Sequence, residues 1–378
     1  MNKRILVLGG AGEVGREVVR DLAQCKEIGE VAIADINEAG AKALAEECRS
    51  TKVRAVRVDP NAPDDLVRLA RTCDVLMNCL VFTQFASVLE AAMRARVDYA
   101  DLISDPTAEQ RGRAAATGIT AISGLGLTPG CSNVFARDAA DRMEEIEEVH
   151  IHWASFRNVA PSAGLLDTIM WELDAVCPAR GYHLNGRFVP VAPFEGSKVV
   201  EFKPPIGRQI VYYVPHTETV TIPKHLPGVR SVSVRGTWPP DVMDDFRTFH
   251  RYGFLSTSAV ETEWGRRSPR DLLRALLLGT QLGRRDRPMY GFFLNVEAVG
   301  RRAGVPARIV YDLSHTPLWG GYSTARITGV TAGVGVTLLA RHGRTKTGIV
   351  DPEAYFDPKE FQEELRTREG LSLEVRED

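Results

Sequence analysis

The 378-residue chain contains no run of apolar residues near the ~18 that a membrane span requires, which excludes a transmembrane protein. Its six cysteines (Cys25, Cys48, Cys73, Cys79, Cys131 and Cys177) form no C-x-x-C pair and no Cys/His cluster. That pattern argues against a metal site, so none is expected, and scattered thiols suit a reducing compartment better than a secreted scaffold. Charge of one sign is also missing. Lys and Arg number 47 against 49 acids, a formal net charge of -2, which is no electrostatic footprint for nucleic acid or an acidic membrane. Lys3-Arg4 before Ile5-Leu6-Val7-Leu8 could imitate a signal peptide, but the apolar run stops at Gly9. There is no internal repeat and no low-complexity segment. What remains is an ordinary globular composition, 44% hydrophobic and 25% charged. At this length we expect roughly two to three domains, in a cytoplasmic and unanchored protein.

The first third alternates short apolar runs with helical patterns, the signature of a parallel sheet covered on both faces. Ile5–Leu8 reads as a buried strand and leads into G-G-A-G-E-V-G at 9–15, with the spacing Gly10-x-Gly12-x-x-Gly15. A helix then opens with Val14, Val18, Val19 and Leu22 on one face. The next strand, V-A-I-A-D, ends in Asp35, 20 residues after Gly15.

Each part has a physical reason. Gly10 is expected to allow the tight turn, Gly12 the approach of backbone to a pyrophosphate, and Gly15 close helix–strand packing. Backbone N–H groups from Ala11, Glu13 and Val14 then face the phosphates at the helix start. Asp35, with Ile36 beside it, is placed to bind both hydroxyls of the adenosine ribose. No Arg follows it, so the pattern favours NAD over NADP. Further strands are expected at 53–59, 74–80, 97–102 and 119–123. They bring Asp59 towards the adenine and Asn78, Cys79 and Leu80 beside the cofactor at the topological switch. The result is a six-stranded, doubly wound parallel Rossmann sheet in an α/β protein.

The sixth strand runs into G-L-G-L-T-P-G at 124–130, where a hinge and an active-site wall are both expected, with Gly126 next to the nicotinamide. Beyond it the pattern becomes mixed α+β. Residues 149–156 alternate as a strand, helices are expected at 163–175, 241–254 and 268–281, and a hairpin turns at R-R-A-G-V. We therefore expect an NAD-binding domain at 1–130, completed by a long Ala-, Gly- and Thr-rich helix at about 320–345. A substrate and dimerisation domain follows at 131–318, and 346–378 is a tail packing back on the body.

The chain resembles the saccharopine dehydrogenase-like family along nearly its whole length. The resemblance rests on G-G-A-G-E-V-G, Y-A-D-L at 99–102, G-L-x-P-G at 126–130, A-G-L-L-D at 163–167, P-H-T-E-T at 215–219 and G-I-V-D-P-E-A-Y-F at 348–356. It implies a dehydrogenase acting on a CH–NH or CH–NH2 donor. In the saccharopine reductase branch the loop carries Asp where this chain has Thr128, and a Cys-Gly-Gly stands on the strand that here reads W-A-S-F-R-N. The chain is more similar to the lysine 6-dehydrogenase branch, which lacks that Asp and carries a His-Thr matching His216-Thr217.

Oxidising a C–N bond requires a proton carrier of near-neutral pKa, which points to His. His216 is the leading candidate, with Glu218 two residues on, sharing a strand face and orienting the imidazole. Thr128 and Asp101 are expected to contact substrate, and Arg235 to clamp a carboxylate. His150 and His152 read as the wet face of a strand. The expected function is an NAD-dependent, lysine 6-dehydrogenase-like oxidative deamination by a homodimer acting on a small amino acid or amine. Saccharopine or another opine-like secondary amine is the alternative substrate. A catalytically silent NAD-binding sensor or scaffold is the reading of another class.

Overall fold

The computed structural model describes residues 2–284 and 289–378. The chain divides into two compact units. The first takes the residues up to Asp138 together with Ala325–Glu369, and the second takes Ala139–Thr324 together with Gly370–Asp378.

The first unit holds a seven-stranded parallel sheet. Its strands are β1 (Lys3–Leu8), β2 (Ile28–Asp35), β3 (Val53–Arg57), β4 (Val75–Asn78), β5 (Asp98–Asp101) and β6 (Thr120–Ile122), with β15 (Gly348–Val350) arriving late in the chain. The order is β15-β6-β5-β4-β1-β2-β3. Successive strand residues point to opposite faces, yet Ile5, Leu6, Val7 and Leu8 are all buried, so both faces of β1 are covered. The order reverses between β1 and β4, which makes their carboxyl ends the expected ligand crevice. Six strands are legible in the sequence. The seventh has only three residues, too few to show a period.

The helix Ser323–His342 extends into this unit and packs there through its small residues. A Cβ at Gly329 would stand 2.5 Å from Glu17 Cβ and 2.9 Å from Val14 O, and one at Gly333 would stand 2.4 Å from Asp21 Oδ2. The helix Glu13–Gln24 is therefore its close partner, which explains the Gly-rich pattern.

The second unit carries a nine-stranded mixed sheet, built from β7 (Glu145–Phe156), β8 (Gly181–Leu184), β9 (Arg187–Pro190), β10 (Lys198–Glu201), β11 (Arg208–Tyr213), β12 (Ser231–Thr237), β13 (Gly291–Arg302), β14 (Val305–His315) and β16 (Leu371–Glu377). β7 and β12 are parallel, and the remaining pairs are antiparallel. The β13–β14 hairpin turns at Ala303 and Gly304, with φ of 50° and 74°, as a two-residue connection with both φ positive requires.

Two boundaries differ from expectation. The units divide at Asp138, inside the helix Cys131–Arg142, because that helix begins as a continuation of the 124–130 loop. The C-terminal tail is also shared, its last nine residues joining the second unit through β16 on β14.

Candidate active site

In the first unit, the predicted cofactor residues gather at the carboxyl edge of the sheet. The turn after β1 is left-handed at Gly9 (φ +72°), not at Gly10, which corrects the expected division of labour among the glycines. Gly10 excludes a side chain for another reason, since its Cβ would stand 2.9 Å from both Val7 O and Ile33 Cγ2. A Cβ on Gly15 would stand 2.2 Å from Gly9 O, so helix and strand approach as closely as the fingerprint demands. Gly12 is the N-cap residue of the helix Glu13–Gln24 and supplies no capping side chain. The helix start at Glu13 and Val14 therefore suits an anion.

Asp35 ends β2 in a fixed position, with Oδ2 accepting from Ala11 N at 3.0 Å and Oδ1 from Asn37 N at 2.9 Å. Its neighbour Ile36 is 55% exposed. Asp59 closes its own turn by accepting from Asn61 N at 2.9 Å. Asn78 is buried at the end of β4. It donates to Tyr99 Oη at 3.1 Å and accepts from Leu80 N at 3.0 Å, so its side chain shapes the crevice floor. Burial drives the Cys79 thiol far above its ordinary pKa, as fits a packing residue, and the Leu80 side chain lies against Gly9.

The 124–130 loop folds tightly on itself. Gly126 N donates to Pro129 O at 2.9 Å, and Cys131 N donates to Gly126 O at 2.9 Å. At Gly130, φ is +124° and a Cβ would stand 2.4 Å from Gly126 O, so only glycine fits. Gly130 N donates to Asn133 Oδ1 at 2.9 Å, and Asn133 Nδ2 donates to buried Glu353 Oε2 at 3.1 Å. The P-E-A-Y-F motif is thereby tied to the loop. Within 124–130 only Thr128 is not buried, so it is the side chain the loop presents. Asp101 differs from its expected place in contact with substrate. It is 2% exposed, and its carboxylate accepts from Gly124 N at 3.0 Å while its carbonyl accepts from Leu125 N at 2.6 Å. It anchors the loop from below.

In the second unit, His216 and Glu218 do not lie on a strand. Thr217 is the N-cap of the helix Glu218–His225, so the acid opens a helix. The pair still meets, His216 Nδ1 lying 3.6 Å from Glu218 Oε2. On its other side His216 Nε2 lies 3.9 Å from Oε1 of Glu172, a buried acid the sequence reading missed. Glu172 ends the apolar helix Ala163–Glu172, three residues beyond buried Ile169. An acid on a buried helical face was the available signal.

Trp153 stacks on His216, with ring centroids 6.1 Å apart and planes at 25°. The indole lies where Gly236 leaves room, since a Cβ there would stand 2.1 Å from it. Burial lowers the His216 pKa, but the charge of Glu218 and the bonds to Glu172 and Glu218 outweigh it and hold the imidazole at about 10. At neutral pH it is an imidazolium.

Arg235 stands apart from this cluster. It neighbours Gly236 along β12, so its side chain leaves by the other face of the sheet. There it donates to Gly196 O at 2.9 Å and Ser233 Oγ at 2.8 Å, bonds Tyr213 Oη, and lies 3.9 Å over the Tyr213 ring. All of those groups belong to local packing, which corrects its expected role as a clamp. On that same face His152 is not wet but 1% exposed, with burial first among the causes lowering its pKa to about 3.

With this geometry in hand, two family models match, the saccharopine dehydrogenase NADP-binding domain over residues 5–122 and the saccharopine dehydrogenase C-terminal domain over 126–371. The chain belongs to the saccharopine dehydrogenase family. The matched family joins a pyridine-nucleotide-binding unit to a C-terminal unit, as the two units here are ordered along the chain. A curated relative, saccharopine dehydrogenase [NADP(+), L-glutamate-forming] of Saccharomyces cerevisiae, is 29% identical over 152 residues, covering 40% of this chain. That match spans 32% of the relative's length. Among solved structures, the apo form of the Saccharomyces cerevisiae L-Glu-forming enzyme superposes with a TM-score of 0.76 at 17% identity, covering 100% of both chains. Homospermidine synthase of Legionella pneumophila in complex with NAD superposes with a TM-score of 0.62 at 14% identity, covering 99% of this chain and 91% of that one. At such identities these two structures establish the shared fold. The cofactor named differs among relatives, NADP for the matched domain and the yeast enzyme, NAD for the homospermidine synthase structure.

Proposed function

We propose that this chain uses NAD to oxidise the C–N bond of a primary amine on an amino acid or other small amine, in the manner of a lysine 6-dehydrogenase. The observation that carries this reading is His216 held between two buried glutamates within a member of this family. The Gly9–Gly15 turn fits a dinucleotide, and Asp35 fits an unphosphorylated ribose, because a fixed carboxylate repels a 2′-phosphate. When bound, the nicotinamide accepts a hydride from the carbon that bears nitrogen. Thr128 orients the substrate by hydrogen bonding and is too weak a base to take its proton. His216 takes that proton in its neutral form; because Glu218 fixes the ring and favours the charged form, with the imidazole held at about 10, the rate should rise towards alkaline pH.

A secondary amine of the saccharopine type is the second reading, favoured by the match to the yeast enzyme. The two differ in what leaves with the nitrogen. Amines, amino acids and saccharopine are incubated with the chain and either NAD or NADP, and reduced nucleotide and released ammonia are both measured. We expect NADH and ammonia from a primary amine. Reduced nucleotide from saccharopine alone, without ammonia, overturns the leading reading in favour of the second.

A further inference from the structure

The helix Pro269–Gly279 is anchored to the second unit along one face only. Leu273 is buried, Arg274 Nε and Nη2 donate to the Asp167 carboxylate at 2.6 and 3.0 Å, and Arg270 Nη2 donates to Asp174 Oδ2 at 2.5 Å. Residues three, four and seven apart share a helix face. Leu272, Ala275, Leu276 and Gly279 therefore line the opposite side, and all four are exposed. This reverses the pattern of an ordinary surface helix, whose polar face is the one left in water.

Directly before the helix, residues 260–267 close a short hairpin. Val260 and Arg267 exchange backbone hydrogen bonds at 2.9 and 3.0 Å, Gly265 N donates to Thr262 O at 3.0 Å, and Trp264 N donates to Thr262 Oγ1 at 3.2 Å. The turn is built by its own bonds, yet it holds Trp264 76% exposed at its tip. Leu276 is 57% exposed, Val260 49% and Leu272 48%. At those exposures the four side chains leave on the order of 400 Å² of apolar surface in water, comparable to the largest patch on a typical monomer, which is often functional.

Size, charge and shape all fit a second copy of this chain. A standard interface buries about 800 Å² per partner, a little over half of it apolar, which this patch and its polar rim supply. The rim sets Glu261, Glu263 and Asp271 against Arg266 and Arg267, with Arg266 Nε lying 3.2 Å from Glu261 Oε1. Two such rims meet with both signs on each side, whereas an anionic membrane calls for an excess of cations. Trp264 lies before the N-terminal end of the stripe, and the small residues Ala275 and Gly279 lie towards its other end. A Cβ on Gly279 would meet nothing within 4 Å, so that end has room. A two-fold axis across the helix between Leu272 and Leu276 sets Leu272 of each copy against Leu276 of the other. The same axis brings each indole to the other copy's Gly279.

We propose that the exposed face of this helix, with Trp264 as its anchor, is the contact through which two copies of the chain pair as an isologous dimer.

The test is sedimentation velocity on the full chain from nanomolar to micromolar concentration. Wild type should pass from dimer to monomer on dilution. Trp264→Ala should raise the dissociation constant about ten-fold or more, as loss of a buried aromatic anchor does. Leu276→Arg places two cations beside the axis and should leave only monomer. Val305→Arg, a control at an exposed position on the β13–β14 turn, should pair as wild type does. Circular dichroism establishes that each variant is folded, and if Leu276→Arg is not, Trp264→Ala decides. A wild type that is monomeric at every concentration overturns the proposal. So does a dimer that neither patch variant weakens, or that Val305→Arg weakens as much. A monomeric wild type that binds phosphatidylglycerol vesicles through Trp264 would assign the face to a membrane instead.

Discussion

His216 and Asp101 show how far one environment can move a side chain in opposite senses of stability. For Asp101, burial pushes the carboxyl up to about 6, against the lowering effects of the Ser104, Gly124 and Tyr99 hydrogen bonds. Its folded pKa is raised above the ordinary 3.8, so ionisation destabilises the fold as pH rises through 6, and acidification towards pH 5 relieves the cost. Asp101→Asn keeps an acceptor for Gly124 N without the charge. We expect it to raise the thermal midpoint at pH 8 by a few degrees (about 2–4 °C per kcal/mol) and to flatten the midpoint between pH 5 and 8. A variant less stable than wild type at pH 8 would show that the charge itself holds the loop. His216 has the reverse sign. Burial lowers its pKa, Glu218 and Glu172 more than restore it, and the stabilising charge is fully present below the ordinary 6.5 and lost as pH rises through about 10. In Glu218→Gln the alkaline loss of stability should move to lower pH, followed by thermal denaturation across pH 7 to 11. At this scale the sequence is legible where spacing sets position, as at Asp35, which ends β2 and accepts from Ala11 N in the glycine-rich turn. It is silent at Glu172, 44 residues from His216, because proximity there comes from tertiary packing alone.

Among elements, the 124–130 loop is the best example of sequence read correctly in place and incompletely in construction. Its glycines mark a tight turn after the sixth strand. That Asp101 and Glu353 anchor it from either side emerges only from the fold. Gly130 and Gly118 allow a direct comparison, because both have positive φ but differ in surroundings. A Cβ on Gly118 would meet nothing within 4 Å, so Gly118→Ala should cost only the left-handed strain, about 1–2 kcal/mol. Gly130→Ala adds a clash with Gly126 O and should lower the thermal midpoint markedly more, with reduced turnover, in side-by-side denaturation and kinetics. Equal costs would mean that the loop opens freely. The P-H-T-E-T segment fails as a strand for a physical reason. Thr217 and Glu218 are good helix-starting residues, and Pro215 does not decide between the two forms.

In the molecule as a whole, the nucleotide-binding unit is not a contiguous stretch, since Ala325–Glu369 returns to complete it. A long helix rich in Ala, Gly and Thr announces that return, whereas the ion pairs that secure it are invisible in the sequence. Arg341 bonds Glu27, Glu360 and Glu364, and Arg368 bonds Asp21 and Glu364. As a network of partly buried pairs it should outweigh isolated surface bridges. Arg341→Ala should therefore lower the thermal midpoint by several degrees and weaken NAD binding only slightly, as calorimetry with and without NAD will show. The account's central claim is that this chain joins an NAD fold to a proton-carrying His216, and steady-state kinetics of His216→Ala with an active amine, across pH, test it most directly. We predict that turnover falls by about 10² to 10⁴, the usual worth of general acid–base catalysis, and that the alkaline rise of the rate disappears. A His216→Ala enzyme with near-normal turnover and an unchanged pH–rate profile would contradict the account.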